Sequence, residues 1–356
     1  MFDAMLGWLA DEEHEPVQVY LFDFEAAAKA LGVHIPQEED GDDVLFEYME
    51  ALALGGVSEI LFVGGFDSYY ASSTEESAHR RRELRENAGY DLRNVTQAIT
   101  VIGERLRLEA IRLNKKSSEA AAHLLKSSLP SPQAARHKGV HVISWGDPFT
   151  VNRRSGVNPP ALDWWGRGNT MAFPDNVILR GAMNGYDVIP HLEAYLGDSD
   201  RFTLRDRPDY SLLAQGLSDL GVYCALIPGS KLEPELWGWY SYGRRGEVQP
   251  DPLVPYFSAA GGVGKDADGY YVGLVLVHHD EYSAIENSYL IRESLENIDP
   301  ERPGSVWKEK VRSVETSFEG REGLVLLLVK LGFRQEQLAD WDKLLSGEYE
   351  LLWYRW

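Results

Sequence analysis

The stretch Ser258-Ala-Ala-Gly-Gly-Val-Gly-Lys-Asp-Ala-Asp-Gly-Tyr-Tyr-Val-Gly-Leu-Val-Leu-Val-His278 can be read in two ways. Gly261-Gly-Val-Gly264-Lys265 invites a phosphate loop. The glycine spacing of G-x-x-x-x-G-K-[ST] is missing, no Ser or Thr follows Lys265, and the residues beyond form a strand-like run. No helix N-terminus would then face a phosphate. The competing reading is a hairpin, with strands at 253–261 and 269–277 and a glycine-rich connection between them. The hairpin is preferred, and it makes this part of the chain antiparallel. Asp266-Ala-Asp268-Gly269 has the opening spacing of a calcium loop, so Asp266 and Asp268 are the candidate metal ligands. No glutamate closes that loop, and Asp and Gly at a hairpin tip need no ion.

Outward from the hairpin, strands and helices alternate. Before it come a strand at 17–22, helices at 24–31, 43–54, 75–88 and 91–98, and a strand at 104–113. A helix at 117–128 and a strand at 139–145 follow, with 127–133 as a turn between them. Strands at 169–174 and 176–181, helices at 184–196 and 208–219, and a strand at 222–227 complete the approach. Beyond the hairpin lie a helix at 280–297, strands near 312–318 and 323–330, a helix at 335–346 and a strand at 349–354. The expected class is α+β, in two similar halves, 1–165 and 166–356, each an antiparallel-rich sheet with helices on one face. Pro159-Pro160 and Gly166-Arg-Gly168-Asn169 suggest the boundary.

The length of 356 residues fits two domains or a duplicated unit. Acids outnumber bases 56 to 35, and the net charge of −21 repels a polyphosphate backbone, so nucleic acid is excluded as a partner. Cys224 is the single cysteine, which rules out an intrachain disulfide and a cysteine-based zinc site. No apolar run is long enough to span a bilayer. The N-terminus has no basic n-region and is not a signal peptide. The expected location is therefore extracytoplasmic if a leader has been removed, and cytoplasmic otherwise.

Glu38-Glu39-Asp40-Gly-Asp42-Asp43 suggests a cation site, but a solvated loop entering a helix N-terminus explains it better. His79-Arg80-Arg81-Arg82 lies among glutamates, as on a salt-bridged helix. His278 and His279 must face opposite sides of a strand, with Asp280 capping the helix that follows. His137 and His141 have helical metal spacing inside a strand-and-loop sequence, where that spacing loses its meaning. Aromatic clusters stand out at Trp164-Trp165, Trp237-Gly-Trp239-Tyr240-Ser-Tyr242, Tyr270-Tyr271 and Trp353-Tyr-Arg-Trp356. Core packing is the ordinary explanation. Gly238, Gly243 and Gly246 make the 237–242 run loop-like, so Trp237, Trp239, Tyr240 and Tyr242 are the candidate ligand or partner contacts.

Four phrases carry a resemblance: Gly89-Tyr-Asp-Leu-Arg-Asn-Val-Thr-Gln-Ala98, Lys138-Gly-Val-His-Val-Ile-Ser-Trp-Gly-Asp147, Asn158-Pro-Pro-Ala-Leu-Asp163 with Gly166-Arg-Gly-Asn169, and Asp206-Arg-Pro-Asp-Tyr-Ser-Leu-Leu-Ala214. Together they resemble a group of uncharacterised bacterial extracytoplasmic proteins, often predicted lipoproteins, with a duplicated α/β build. The match spans residues 1–230 and implies a duplicated fold and an extracytoplasmic role. It brings no catalytic residues. The chain departs from the group in having no lipobox cysteine, since Cys224 lies in a predicted strand.

The expectation that follows is a non-enzymatic extracytoplasmic binding or assembly protein without a cofactor, engaging a protein partner or a second copy of itself. Carbohydrate stacking on exposed Trp and Tyr is the other partner class. The alternative function is a hydrolase acting on glycans, with a carboxylate pair about 5–10 Å apart in an inter-domain cleft. A third reading is a cytoplasmic subunit whose Trp-rich C-terminus docks on a larger complex.

Overall fold

A computed structural model describes residues 1–11, 18–57, 90, 92–103, 107–126, 132–146, 169–182, 187–198, 200–228, 253–296, 310–336, 338, 341 and 345. Twelve strands form one antiparallel sheet: β1 (Gln18–Asp23), β2 (Val95–Ile102), β3 (Arg107–Leu113), β4 (Gln133–His137), β5 (Val140–Trp145), β6 (Asn169–Ala172), β7 (Val177–Ala182), β8 (Cys224–Ile227), β9 (Ser258–Asp266), β10 (Gly269–His278), β11 (Val311–Arg321) and β12 (Leu324–Phe333). Their order is β11-β12-β10-β9-β8-β1-β2-β3-β7-β6-β5-β4. Seven α-helices occur among the described residues: α1 (Phe2–Leu6), α2 (Phe24–Leu31), α3 (Asp42–Leu54), α4 (Ser117–Leu124), α5 (Ile189–Tyr195), α6 (Pro208–Asp219) and α7 (Glu281–Glu296).

The α+β class with an antiparallel sheet stands. Strands from both expected halves join in the same sheet, because β1 pairs with β2 on one side and with β8 on the other. The expected boundary at 165/166 lies outside the described residues. Helices cover both faces of the sheet, where one face was expected. The reason is visible in β1, whose residues Val19 to Asp23 are buried at both parities. A strand apolar on both sides needs a layer on each. Tyr20 and Phe22 pack with residues of α2, α3, α4 and α7, while Val19 and Leu21 pack with α1, α5 and α6.

Two local expectations are corrected. The helix expected at 91–98 is a 3-10 turn, Leu92–Asn94, followed by β2. The β-branched Val95, Thr96, Ile99, Thr100, Val101 and Ile102 favour the pleated sheet over a helix. The hairpin is present, but its glycine run is not the connection. Gly261, Gly262 and Gly264 sit inside β9, buried, and Ala267-Asp268 make the turn. A Cβ on Gly262 would overlap the Cys224 carbonyl oxygen, and one on Gly264 would overlap the Tyr271 ring. These glycines serve close packing, in agreement with rejecting a phosphate loop. Strand β4 falls where a turn was expected to end. The helix at 75–88, the strand at 349–354 and most of the helix at 335–346 lie outside the described residues.

Candidate contact surface

Trp237, Trp239, Tyr240 and Tyr242 lie outside the described residues, as do Trp164-Trp165 and Trp353–Trp356. The tryptophans that are described, Trp8, Trp145 and Trp341, are all buried and belong to the core. Of the Tyr270-Tyr271 pair, Tyr271 is buried. It donates to the Leu220 carbonyl at 2.6 Å, and its hydroxyl pKa is pushed up to about 12 by burial.

Asp266 and Asp268 stand at the β9–β10 turn. The Asp266 carboxylate pairs with Lys330 and also accepts the Asp268 backbone N–H at 2.9 Å. The Lys330 bond, first of these, holds its pKa below the usual carboxylate value. A lysine and a turn amide thus already satisfy this carboxylate. The acids at 38–43 likewise meet the chain's own donors: Glu38 meets Lys115 at 3.0 Å, Asp42 meets Arg93 at 2.9 Å, and Asp40 accepts the Gln37 N–H at 2.6 Å. No group of three or more His, Cys, Asp or Glu among the described residues is placed to hold a metal ion.

Among the described aromatic residues open to solvent, Tyr282 and Tyr289 lie on α7 and Phe257 beside it, while Phe46, Phe202 and Phe318 stand apart from one another elsewhere. Asp280 starts this helix as its N-cap, accepting the Ser283 N–H at 2.8 Å and the Ser283 hydroxyl at 2.9 Å. These bonds hold its carboxyl below the usual range. Ala284, Asn287, Ser288, Ile291 and Leu295 are buried against the sheet. At 100° per residue, they fall on one side of the helix and Tyr282, Ile285 and Tyr289 on the other, within about 60° of arc. Tyr282 is 75% exposed, Tyr289 65% and Ile285 36%. Glu293, also exposed, continues the stripe toward the C-terminal end. At the N-terminal end, exposed Phe257 meets His279 edge to face with ring centroids 5.6 Å apart.

The helix is fixed from below. Asn287 donates through Nδ2 to the Val254 carbonyl at 2.8 Å and accepts the Val254 N–H at 2.6 Å. The same amide lies 2.9 Å from Nε2 of buried His278. Ser288 and Arg292 reach the Thr316 hydroxyl on β11 at 3.2 and 3.0 Å. Polar bonds on the inner side therefore hold the outer aromatic stripe in a set orientation. Sequence reasoning looked for clusters of neighbouring aromatics and missed this stripe, whose members are spaced by helical turns. The signal was Tyr282-x-x-Ile285-x-x-x-Tyr289 on the solvent side of a helix whose apolar residues Ala284, Ile291 and Leu295 mark the other side.

No family profile matches the chain, and no curated protein matches it in sequence. Among solved structures it is similar to crystal form III of TP0453, at 8% identity and a TM-score of 0.41 over 96% of this chain and 97% of that one. Crystal form IV gives 8% identity and 0.42 over 96% of each chain. Crystal form I gives 9% and 0.39 over 97% of each.

Proposed function

We propose that this protein is a non-enzymatic binding or assembly protein, working outside the cytoplasm, that engages a protein partner through the aromatic side of α7. The observation that supports it is the exposure of Tyr282 and Tyr289 on a helix whose opposite side is fully engaged. Tyrosine offers a large contact area for the loss of few rotatable bonds, and it is enriched where interfaces draw most of their energy. The rigid anchoring of α7 by Asn287 and Ser288 lowers the ordering cost of binding. Glu286 and Glu293 beside the tyrosines, on a chain of net charge −21, favour a partner with a basic rim.

The test is a photo-reactive amino acid at Ile285, activated in cells of the source organism. A discrete adduct is expected, and Tyr282→Ser/Tyr289→Ser in the same chain reduces it at least about tenfold, the loss of one interface anchor. An adduct of unchanged yield in the double variant, or no adduct at all, contradicts the proposal.

A further inference from the structure

Strand β11 ends the sheet, and its backbone shows how it can be extended. It runs for 11 residues beside β12, from Val311 to Arg321, and no described strand lies on its outer side. The β11–β12 hairpin closes with Arg321 opposite Leu324, leaving Glu322 and Gly323 as a two-residue turn, both with positive φ (52° and 81°). In that type of hairpin the closing pair exchanges both hydrogen bonds, and bonded and non-bonded pairs alternate from there. Arg321, Glu319, Ser317 and Glu315 therefore turn their amides toward β12. Val314, Thr316, Phe318 and Gly320 turn theirs outward. The bulge at Val311/Ser313 leaves 314–321 in regular register. No proline interrupts this edge, and it is long for an edge strand.

We infer that β11 is a self-association edge, on which two copies of this chain pair β11 with β11 antiparallel about a two-fold axis through Phe318. Charge argues for a second copy. The whole molecule carries −21, yet 311–321 holds Arg312 and Arg321 against Glu315 and Glu319, and so is neutral. Two copies can meet there without the like-charge cost that most of their surface imposes.

The side chains then choose the register. Outward amides must face outward amides, which leaves two-fold axes at single residues. Axes at Glu315, Ser317 or Glu319 set glutamates directly opposite each other, and like charges across a pair are destabilising. An axis at Phe318 sets Glu315 opposite Arg321 twice, and Thr316 opposite Gly320. It also brings the two Phe318 rings, each 43% exposed in the single chain, against one another. Arg321 is held at this edge by Glu319 and Asp219 at 2.7 and 2.6 Å, so its guanidinium is positioned before the second copy arrives. An axis at Thr316 avoids repulsion but gains no opposite-charge pair. The far edge, β4, is only 5 residues long and carries a lone arginine, Arg136, with His137. A β11–β4 contact would propagate as an open chain of copies; the β11–β11 contact closes at two.

This surface is separate from the tyrosine stripe of α7, and the inference stands without that reading. The experiment uses the full chain in light scattering across a concentration series, with its 40.1 kDa monomer as the reference mass. Wild type is expected to reach twice the monomer mass. Phe318→Lys, which sets two ammonium groups on the axis, is expected to remain at the monomer mass with an unchanged far-ultraviolet spectrum. Gly320→Pro removes an outward N–H without touching the β12 ladder, at a position where an added Cβ meets open space, and is expected to do the same, which guards against a folding defect in the first variant. A Phe318→Cys chain treated with a short thiol cross-linker is expected to give a covalent dimer, because this register brings residue 318 to its own symmetry mate; Cys224 is buried and silent. A Ser313→Cys chain is not expected to cross-link. A wild-type chain that stays monomeric, a ladder of higher masses, or a dimer indifferent to both edge variants would overturn the inference. Tyr282→Ser/Tyr289→Ser is expected to leave this dimer intact.

Discussion

His278 and His191 are buried histidines held neutral by their surroundings. Burial lowers the His278 pKa to about 4 and the His191 pKa to about 3. Around His278 stand Asn287, the Tyr256 ring, Asp280 and His279, and the charge of Asp280 only partly offsets the burial. His191 accepts the Ala10 N–H at 3.1 Å, which ties the N-terminal segment to α5. In the unfolded chain both titrate near 6.5, so between that value and the folded pKa the unfolded state binds more protons. Their full contribution to stability is present above pH 6.5 and is lost as pH falls toward 4 for His278 and toward 3 for His191. The loss is about 1.4 kcal/mol for each pH unit and each histidine. Urea midpoints measured from pH 7.5 to 4.5 are expected to fall, and His278→Gln is expected to shallow that fall; an identical slope in the variant would contradict the assignment. Asp11→Asn is expected to cost about 3 kcal/mol, because Asp11 holds Arg207 by two bonds of 2.6 and 2.7 Å in a largely buried pair and the variant removes the charge of that carboxylate. Denaturant titration checks it. At this scale the sequence was partly legible. The Asp280 cap and the opposed faces of His278 and His279 follow from local pattern. The Asn287 bond to Val254, across 33 residues, does not.

Strand β9 shows what decides an element. Its small residues leave room for the Leu345 side chain above Gly261 and for the β8 backbone beside Gly262. Gly262→Ala is expected to destabilise by about 1–3 kcal/mol, since the obstacle is a carbonyl oxygen of the neighbouring strand and backbone gives way poorly. Thermal melts with and without nucleotide or inorganic phosphate are expected to coincide, in wild type and variant alike. Stabilisation by phosphate would restore the phosphate-loop reading. The hairpin was legible from the β-branched residues and the Asp-Gly tip. Its register was not, because glycine in a buried strand and glycine in a connection look alike until the residues packed against them are known. The same ambiguity turned 91–98 into an expected helix: Leu92-Arg-Asn opens as a helical turn, and the run from Val95 pairs with β1 and β3 instead.

At the scale of the molecule, strands far apart in sequence share ladders. A division at 165/166 would separate β1 from β8, β3 from β7 and β5 from β6. Neither piece alone is expected to fold, and circular dichroism of the two expressed separately checks this; a cooperative melt from either would show an independent half. The antiparallel α+β class was legible because hairpins announce themselves locally. The single sheet was not, since the β1–β8 pairing joins residues some 200 positions apart and leaves no local mark. The exposed side of α7 left a local mark in the helical spacing of Ala284, Ile291 and Leu295, and the packing of Asn287 and Ile291 beneath it fixes which side faces the sheet.

The native mass of the assembly isolated from its source fraction, for wild type and for Tyr282→Ser/Tyr289→Ser, tests the central proposal most directly. A partner-containing assembly, heavier than any small multiple of the 40.1 kDa chain allows and reduced to the bare dimer in the double variant, is the result the account predicts. The same mass in both proteins would contradict a role for the aromatic side of α7 in binding.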